Sequence, residues 1–390
     1  MHDSFAIDAT AARSAFPLDP DFLTVNHGSY GAAPRAVLDA QAEWRRRLEA
    51  QPTWFMQRIL PEALRHAAAV LGTYVGARGE DIAFVDNATT GCNAVLLSLA
   101  FAAGDEILML NHGYGAVRNT VRHVASPTGA VLVEAELPFP DPGEEAIVAA
   151  VAARIGPRTR LVILDHITSP SALILPLEKL IARCREAGVK VLVDGAHGPG
   201  QVPLDLEALG PDWYVGNCHK WLMAPKGCAF LWARRDRQQD LHPVVISHGY
   251  GKGYLAEFDW TGTRDPSPYL AVEAAIAFHH GLGGPRLMDR NNRLALDGAR
   301  LLVERLGTRC GAGPAFHGSM QLVQLPLDGP GTPERALALR ARLLDEFRCD
   351  APLHCLAGKV WLRLSAQAYN TIDDYKSLAD VAARLSRAGN

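Results

Sequence analysis

Between Ile82 and Trp232 the chain alternates two textures. Short apolar runs recur at Ile82–Val85, Glu106–Leu110, Ala130–Val133, Arg160–Leu164, Lys190–Val193, Trp213–Val215 and Cys228–Trp232. Each is too short for a helix and is apolar on successive residues, the mark of a strand buried on both faces. Between them lie stretches with helical spacing of apolar residues: Gly91–Leu99, Ala116–Val124, Glu144–Arg154 and Leu177–Ala187. The alternation predicts an α/β fold, a mostly parallel central sheet with helices on both faces. Ligands of such sheets bind at the carboxyl ends of the strands. Asp86–Thr90, Asn111–Tyr114, His166–Ser169 and Asp194–His197 all fall there, so the polar residues collect where a site belongs.

From about Arg286 the texture changes. A long helix over Leu287–Leu306 precedes a strand at Met320–Leu325, a helix at Pro333–Phe347, a strand at Val360–Ser365 and a last helix at Thr371–Arg387. This predicts a smaller α+β C-terminal domain, separated by the helix-breaking run Gly281–Pro285. The expected division is a large domain over 26–284 and a small domain over 285–390, with residues 1–25 packing as a segment on the small domain.

Composition adds exclusions. A net charge of −3 with no run of like charge leaves no nucleic-acid arm, and Arg45–Arg47 and Arg234, Arg235 and Arg237 read as solvated faces. No apolar run approaches the ~20 residues of a membrane span. Met1–Ser4 lacks the basic start of a signal peptide. The seven cysteines contain no Cys-x-x-Cys pair, which points to reduced thiols in the cytoplasm and away from disulfides or a metal site.

The candidate chemistry centres on Lys220, which follows a strand, a Cys and a His and precedes apolar Trp221-Leu222-Met223. That setting desolvates the amine and makes it a nucleophile. Upstream, Asp194 ends a central strand. A Schiff-base lysine together with an Asp on a pyridinium nitrogen is how proteins hold pyridoxal 5′-phosphate (PLP). Asn87-Ala88-Thr89-Thr90-Gly91 closes one strand and opens a helix, either as an anion cradle or as an ordinary cap. Tyr114 offers a ring to stack on a flat cofactor, and His197 a hydrogen bond to a ring hydroxyl. Arg363, between Leu362 and Leu364, either pairs with an internal carboxylate or holds a substrate carboxylate.

Taken together, the chain resembles class V of the fold-type-I PLP enzymes, and within it the isopenicillin N epimerase-like branch. The resemblance is carried by Asn26–Gly31, Asn87–Thr90, Asp165–Pro170, Asp194–His197, His219–Trp221, Trp260–Asp265 and Arg363 through Tyr369-Asn370, which run in family order. It implies a PLP-dependent transferase fold of type I and these roles. Lys220 forms the Schiff base and moves the Cα proton. Asp194 pairs with the pyridine nitrogen. Thr89, Thr90 and His219 hold the phosphate, with Asn217 assisting, and Thr263 reaches the phosphate of the neighbouring subunit, so a homodimer with shared active sites is expected. Tyr114 stacks on the ring and serves as the second acid–base group. Ser169 and His197 are further cofactor contacts. Arg363, Arg58 and His27 face an amino-acid substrate. Arg58 and Arg264 either meet a second substrate carboxylate or form structural ion pairs.

The implied activity is at Cα of an amino acid: an epimerase or racemase, or a C–S (β) lyase. The alternatives are an aminotransferase, sulfur transfer through Cys349 or Cys355, and a PLP-binding protein without catalysis. Cys349–Cys355 reads as a strand and turn, without the glycine-rich loop that a mobile sulfur carrier uses.

Overall fold

The computed structural model describes residues 7–389, so the Met1–Ser4 segment lies outside the described residues. The large sheet has seven strands: β2 (Ile82–Val85), β3 (Glu106–Leu110), β4 (Val131–Ala135), β5 (Thr159–Asp165), β6 (Lys190–Asp194), β7 (Trp213–Asn217) and β8 (Ala229–Ala233). Their order is β2-β8-β7-β6-β5-β3-β4. The contacts among β7, β6, β5, β3 and β4 are parallel, and only β8 runs against its neighbours.

The side-chain alternation along these strands builds two cores. Ile107, Met109, Leu161, Ile163, Leu192 and Val215 pack against helices Ala88–Ser98 and Gly115–Thr128. Leu108, Leu110, Val162, Leu164, Val191 and Val193 pack on the other face against Leu60–Val75 and Leu177–Glu186. With both faces covered, every strand position must be apolar, which is why the runs do not alternate in polarity.

Three helical stretches were not legible as pattern. Arg35–Ala50 buries only Val37, Gln41 and Leu48, so its apolar stripe is thin. Leu60–Val75 follows a π-helical turn at Phe55–Ile59 that breaks the 3.6-residue register. Residues 254–281 form three pieces, Tyr254–Phe258, Ser267–Leu270 and Val272–Gly281.

The C-terminal part is a three-stranded antiparallel sheet in the order β11 (Leu353–Leu356), β12 (Lys359–Ser365), β9 (Met320–Gln324). Helices Pro285–Leu306 and Ile372–Gly389 cover one face through Ala295, Leu302, Tyr375 and Leu378. β1 (Leu23–Thr24) pairs with β10 (Cys349–Asp350), and Ala12 and Phe16 pack with Leu287 and Tyr369.

Candidate active site

A cavity of 590 Å³ opens at the carboxyl ends of β2, β5, β6 and β7. Its wall includes Thr89, Thr90, Tyr114, Asp165, Ser169, Asp194, His197, Asn217, His219 and Lys220. Ten residues that are scattered over the sequence thus share one surface because parallel strands end on one side.

Lys220 lies in the turn that leaves β7, three residues after Asn217. Its Nζ is 3.3 Å from His197 Nε2. Burial, with help from the Arg363 charge and against that of Asp194, lowers its pKa to about 8, so the amine gives up its proton far more readily near neutral pH than an ordinary lysine. The backbone around it is pinned. His27 Nε2 donates to the Lys220 carbonyl at 3.0 Å. Gly31, with φ of 70°, passes so close that a Cβ would fall 2.1 Å from the His219 carbonyl oxygen.

Asp194 and Asp165 end neighbouring strands in register. Both are buried. Burial raises the pKa of Asp194, while the Ala196 N–H and the Lys220 charge oppose the shift. Asp165 is raised further, by burial and then by the Asp194 charge, which makes it the neutral member of the pair. Its carboxyl also accepts the Tyr114 N–H, tying the Asn111–Tyr114 turn to the sheet. The sequence reading gave Asp165 no role, although it ends a central strand just as Asp194 does.

Helix Ala88–Ser98 starts three residues before the expected Gly91, and its cap is Asn87, whose Oδ1 accepts the Thr90 N–H at 2.9 Å. The Ala88 N–H goes to Asn217 Oδ1 at 2.8 Å. Asn217 therefore ties β7 to the helix start. Among the described residues the Thr89 N–H and hydroxyl have no partner, so the helix N-terminus keeps donors for an anion. His219 Nδ1 donates to the Cys228 carbonyl at 3.1 Å. Burial and the Lys220 charge lower its pKa to about 4. Neutral His219 thus turns a lone pair, not a proton, outward at Nε2.

Arg363 is buried behind the cavity wall and is not itself part of the lining. Its Nη1 donates to the Ser169 carbonyl at 2.6 Å, and its Nη2 to Asn26 Oδ1 and Ser29 Oγ at 3.2 and 3.0 Å. All these acceptors are neutral, and Nε is buried without a partner. No carboxylate among the described residues forms a salt bridge with it. The guanidinium sits just behind Ser29 and Ser169, both of which line the cavity.

Several expected site residues lie elsewhere. His27 is buried with both ring nitrogens engaged, Nδ1 with the Tyr369 hydroxyl at 3.0 Å and Nε2 with the Lys220 carbonyl. It braces the lysine turn and does not line the cavity, which corrects its reading as a substrate contact. Arg58 is exposed on the π-helical turn, away from this chain's cavity. Arg264 pairs with Asp86 and lies 5.0 Å over the Tyr269 ring, a structural ion pair. Thr263 is exposed and does not reach the cavity of its own chain. Tyr114 does line it, 44% exposed, whereas His112 is buried against Phe139 and bonded to Ser171. Cys349 is buried in β10, and the Cys355 thiol donates to the Gly331 carbonyl; neither lines the cavity. Lys226, unremarked in the sequence, does line it and donates to the Gly31 carbonyl at 2.7 Å.

The family model for aminotransferase class V matches residues 32–276. The chain belongs to the aminotransferase class V family. Among curated relatives, the isopenicillin N epimerase of Amycolatopsis lactamdurans is 37% identical over 96% of this chain and 98% of its own. A putative L-cysteine desulfhydrase of Oryza sativa subsp. japonica is 36% identical over 94% of this chain and 83% of its own. In structure, a C-DES mutant with glycine covalently linked to its PLP cofactor superposes with a TM-score of 0.80 at 23% identity, covering 95% of this chain and 98% of that one. The fold is that of the type I PLP enzymes, and the family is PLP-dependent.

The residues of this cavity fit that group. A flat cationic ring needs a buried carboxylate, which Asp194 supplies. A phosphate needs free donors at one end, which Thr89 supplies. An aldehyde needs an unprotonated amine, which Lys220 supplies.

Proposed function

We propose that this aminotransferase class V enzyme is a C–S lyase acting on an L-cysteine-type amino acid, converting cysteine and water to pyruvate, ammonia and hydrogen sulfide. When bound, PLP serves as an electron sink that makes bonds to Cα labile. The rest falls to the chain. Lys220 would hold the cofactor aldehyde, and its amine would take the Cα proton of the substrate. Arg363 would hold the substrate carboxylate, Asp194 would pair with the ring nitrogen, Tyr114 would cover the ring, and Thr89, Thr90 and His219 would hold the phosphate.

The observation that carries the lyase reading is the single strong base. Lys220, with its pKa at about 8, is an effective base near neutral pH. Elimination asks for one base, because a thiol leaves readily as the thiolate. Sulfur transfer asks for a reactive cysteine in the cavity, and the thiols of Cys349 and Cys355 are both raised by burial and lie outside it. The desulfhydrase relative supports the same choice.

Epimerisation is the second reading. Tyr114 supports it, since its ring lines the cavity and its hydroxyl has no partner among the described residues, as a second proton donor requires. Four products separate the readings. Equal sulfide, pyruvate and ammonia from L-cysteine, unaffected by Cys349→Ala and Cys355→Ala, are expected. Inverted amino acid carrying solvent deuterium at Cα, with no sulfide, would replace the lyase by the epimerase.

A homodimer belongs to this reading. Thr263 does not line its own cavity, Val244, Val245 and Ile246 form an exposed apolar run, and Tyr250 shortly after them is exposed as well. The seven free cysteines support a reducing, cytoplasmic setting, and no helix among the described residues is long and apolar enough to cross a membrane.

A further inference from the structure

His197 stands between two nitrogen groups. On one side the Trp221 indole Nε1–H lies 3.3 Å from His197 Nδ1. On the other, Lys220 Nζ lies 3.3 Å from His197 Nε2. All three side chains are buried or nearly so, and Trp221 is further held by the tilted His27 ring at 5.2 Å between centroids.

The donor inventory leaves one consistent arrangement. An indole nitrogen donates and never accepts. Nδ1 of His197 must then hold a lone pair. A neutral imidazole carries one proton, so that proton is on Nε2 and points at Lys220. A lysine ammonium has three donors and no acceptor, and would set N–H against N–H. A neutral amine accepts through its lone pair. The Trp221–His197 bond and a charged Lys220 bonded to His197 are therefore mutually exclusive.

We propose that Trp221 is a positioning residue that fixes His197 as its Nε2–H tautomer, so that His197 holds Lys220 as an unprotonated amine and presents a neutral donor to the cavity. The same donor suits the ring oxygen of the cofactor beside the lysine. This assigns work to Trp221, which otherwise reads as a core side chain. It also gives a reason for the histidine: a glutamine here can turn its amide and accept from an ammonium, whereas a histidine locked by an indole cannot. The part concerning the cofactor rests on the PLP reading; the tautomer and the lysine do not.

The test uses full-length protein labelled with 15N-histidine and freed of cofactor, with His197→Gln to assign the resonance. Long-range 15N–1H correlation is expected to show His197 neutral with Nε2 protonated. In Trp221→Phe the lock is gone, the tautomers mix, and Lys220 regains a proton acceptor. The midpoint for the pH dependence of PLP capture by Lys220 then moves up by about half to one unit, the scale of one hydrogen bond. In the His197→Gln background, Trp221→Phe should leave that midpoint unchanged. An Nδ1–H tautomer in the parent protein overturns the proposal. So does a midpoint that moves equally in both backgrounds, because Trp221 would then act by packing alone. If Trp221→Phe does not fold, the parent tautomer still decides. A protein that takes up no PLP defeats the functional reading while the tautomer measurement stands.

Discussion

Arg363 is a buried cation whose hydrogen-bond partners are all uncharged. Burial, followed by the charge of Arg340, lowers its pKa to about 10, a measure of how poorly the site solvates it. A substrate carboxylate relieves that deficit, and only a planar guanidinium meets it with two parallel bonds. Arg363→Lys is therefore expected to raise KM for the amino acid by about 10- to 100-fold, the loss of one charged hydrogen bond, with a smaller effect on kcat. Steady-state kinetics checks this, and an unchanged KM would remove Arg363 from the substrate. Asp165 makes a prediction of a different kind. Its pKa is raised in the folded protein, so folding favours its protonated form, and the stability it allows is lost as pH climbs above the ordinary carboxylate range. Asp165→Asn does not titrate and can still accept the Tyr114 N–H. It should match the parent near pH 4 and melt progressively higher than the parent toward pH 8. A difference in Tm that is flat with pH would mean Asp165 is charged. His219 adds a third. As its Nδ1 proton is engaged by the Cys228 carbonyl, it can hold a phosphate dianion only by gaining a proton at Nε2. Calorimetry in buffers of different ionisation enthalpy at pH 7 should therefore show about one proton taken up as PLP binds, by linkage, and none in His219→Gln.

At the scale of elements, the start of helix Ala88–Ser98 shows what pattern reading catches and what it misses. The motif Asn87–Gly91 was visible as a cap or an anion cradle; Asn87 is the cap, and Thr89 keeps its donors open. The true first turn was hidden because Ala88-Thr89-Thr90 carries no apolar stripe. The strands were legible because a parallel sheet covered on both faces demands continuous apolar runs. Helix Arg35–Ala50 was not, because three buried residues make no readable period. Asn217, expected to touch phosphate, lines the cavity and accepts the Ala88 N–H, a contact between β7 and the helix that no local pattern contains. The family resemblance placed His27 toward the substrate, yet its side chain folds inward to brace Lys220. Asn217→Ala should cost about 1–2 kcal/mol, the range for losing a capping acceptor, and should weaken PLP affinity as the helix start loosens. Thermal unfolding with a PLP titration checks both; a full loss of affinity without a stability change would instead make Asn217 a direct ligand.

At the scale of the whole molecule, Thr263 is the expected phosphate contact that its own chain's cavity leaves out. It is exposed, five residues past the end of helix Tyr254–Phe258 and beside Arg264, which is paired with Asp86 in the cavity wall. In one chain it touches nothing that reacts. In a two-fold dimer the same exposed segment of each protomer can close the other's cavity, since a two-fold interface presents each patch twice. Two inactive proteins test this. Lys220→Ala lacks the base, and Thr263→Asp places a negative charge where the phosphate would bind. If Thr263 serves the neighbouring cavity, mixing the two after reversible dissociation creates a heterodimer with one intact site: Lys220 from the Thr263→Asp protomer and Thr263 from the Lys220→Ala protomer. Random pairing at equal amounts gives about one quarter of the parent's sites, by the statistics of a two-fold assembly. If Thr263 serves its own cavity, every site in the mixture carries a defect and no activity returns. The lyase assay on the mixture, with each variant alone as the control, therefore distinguishes a shared active site from two self-contained ones.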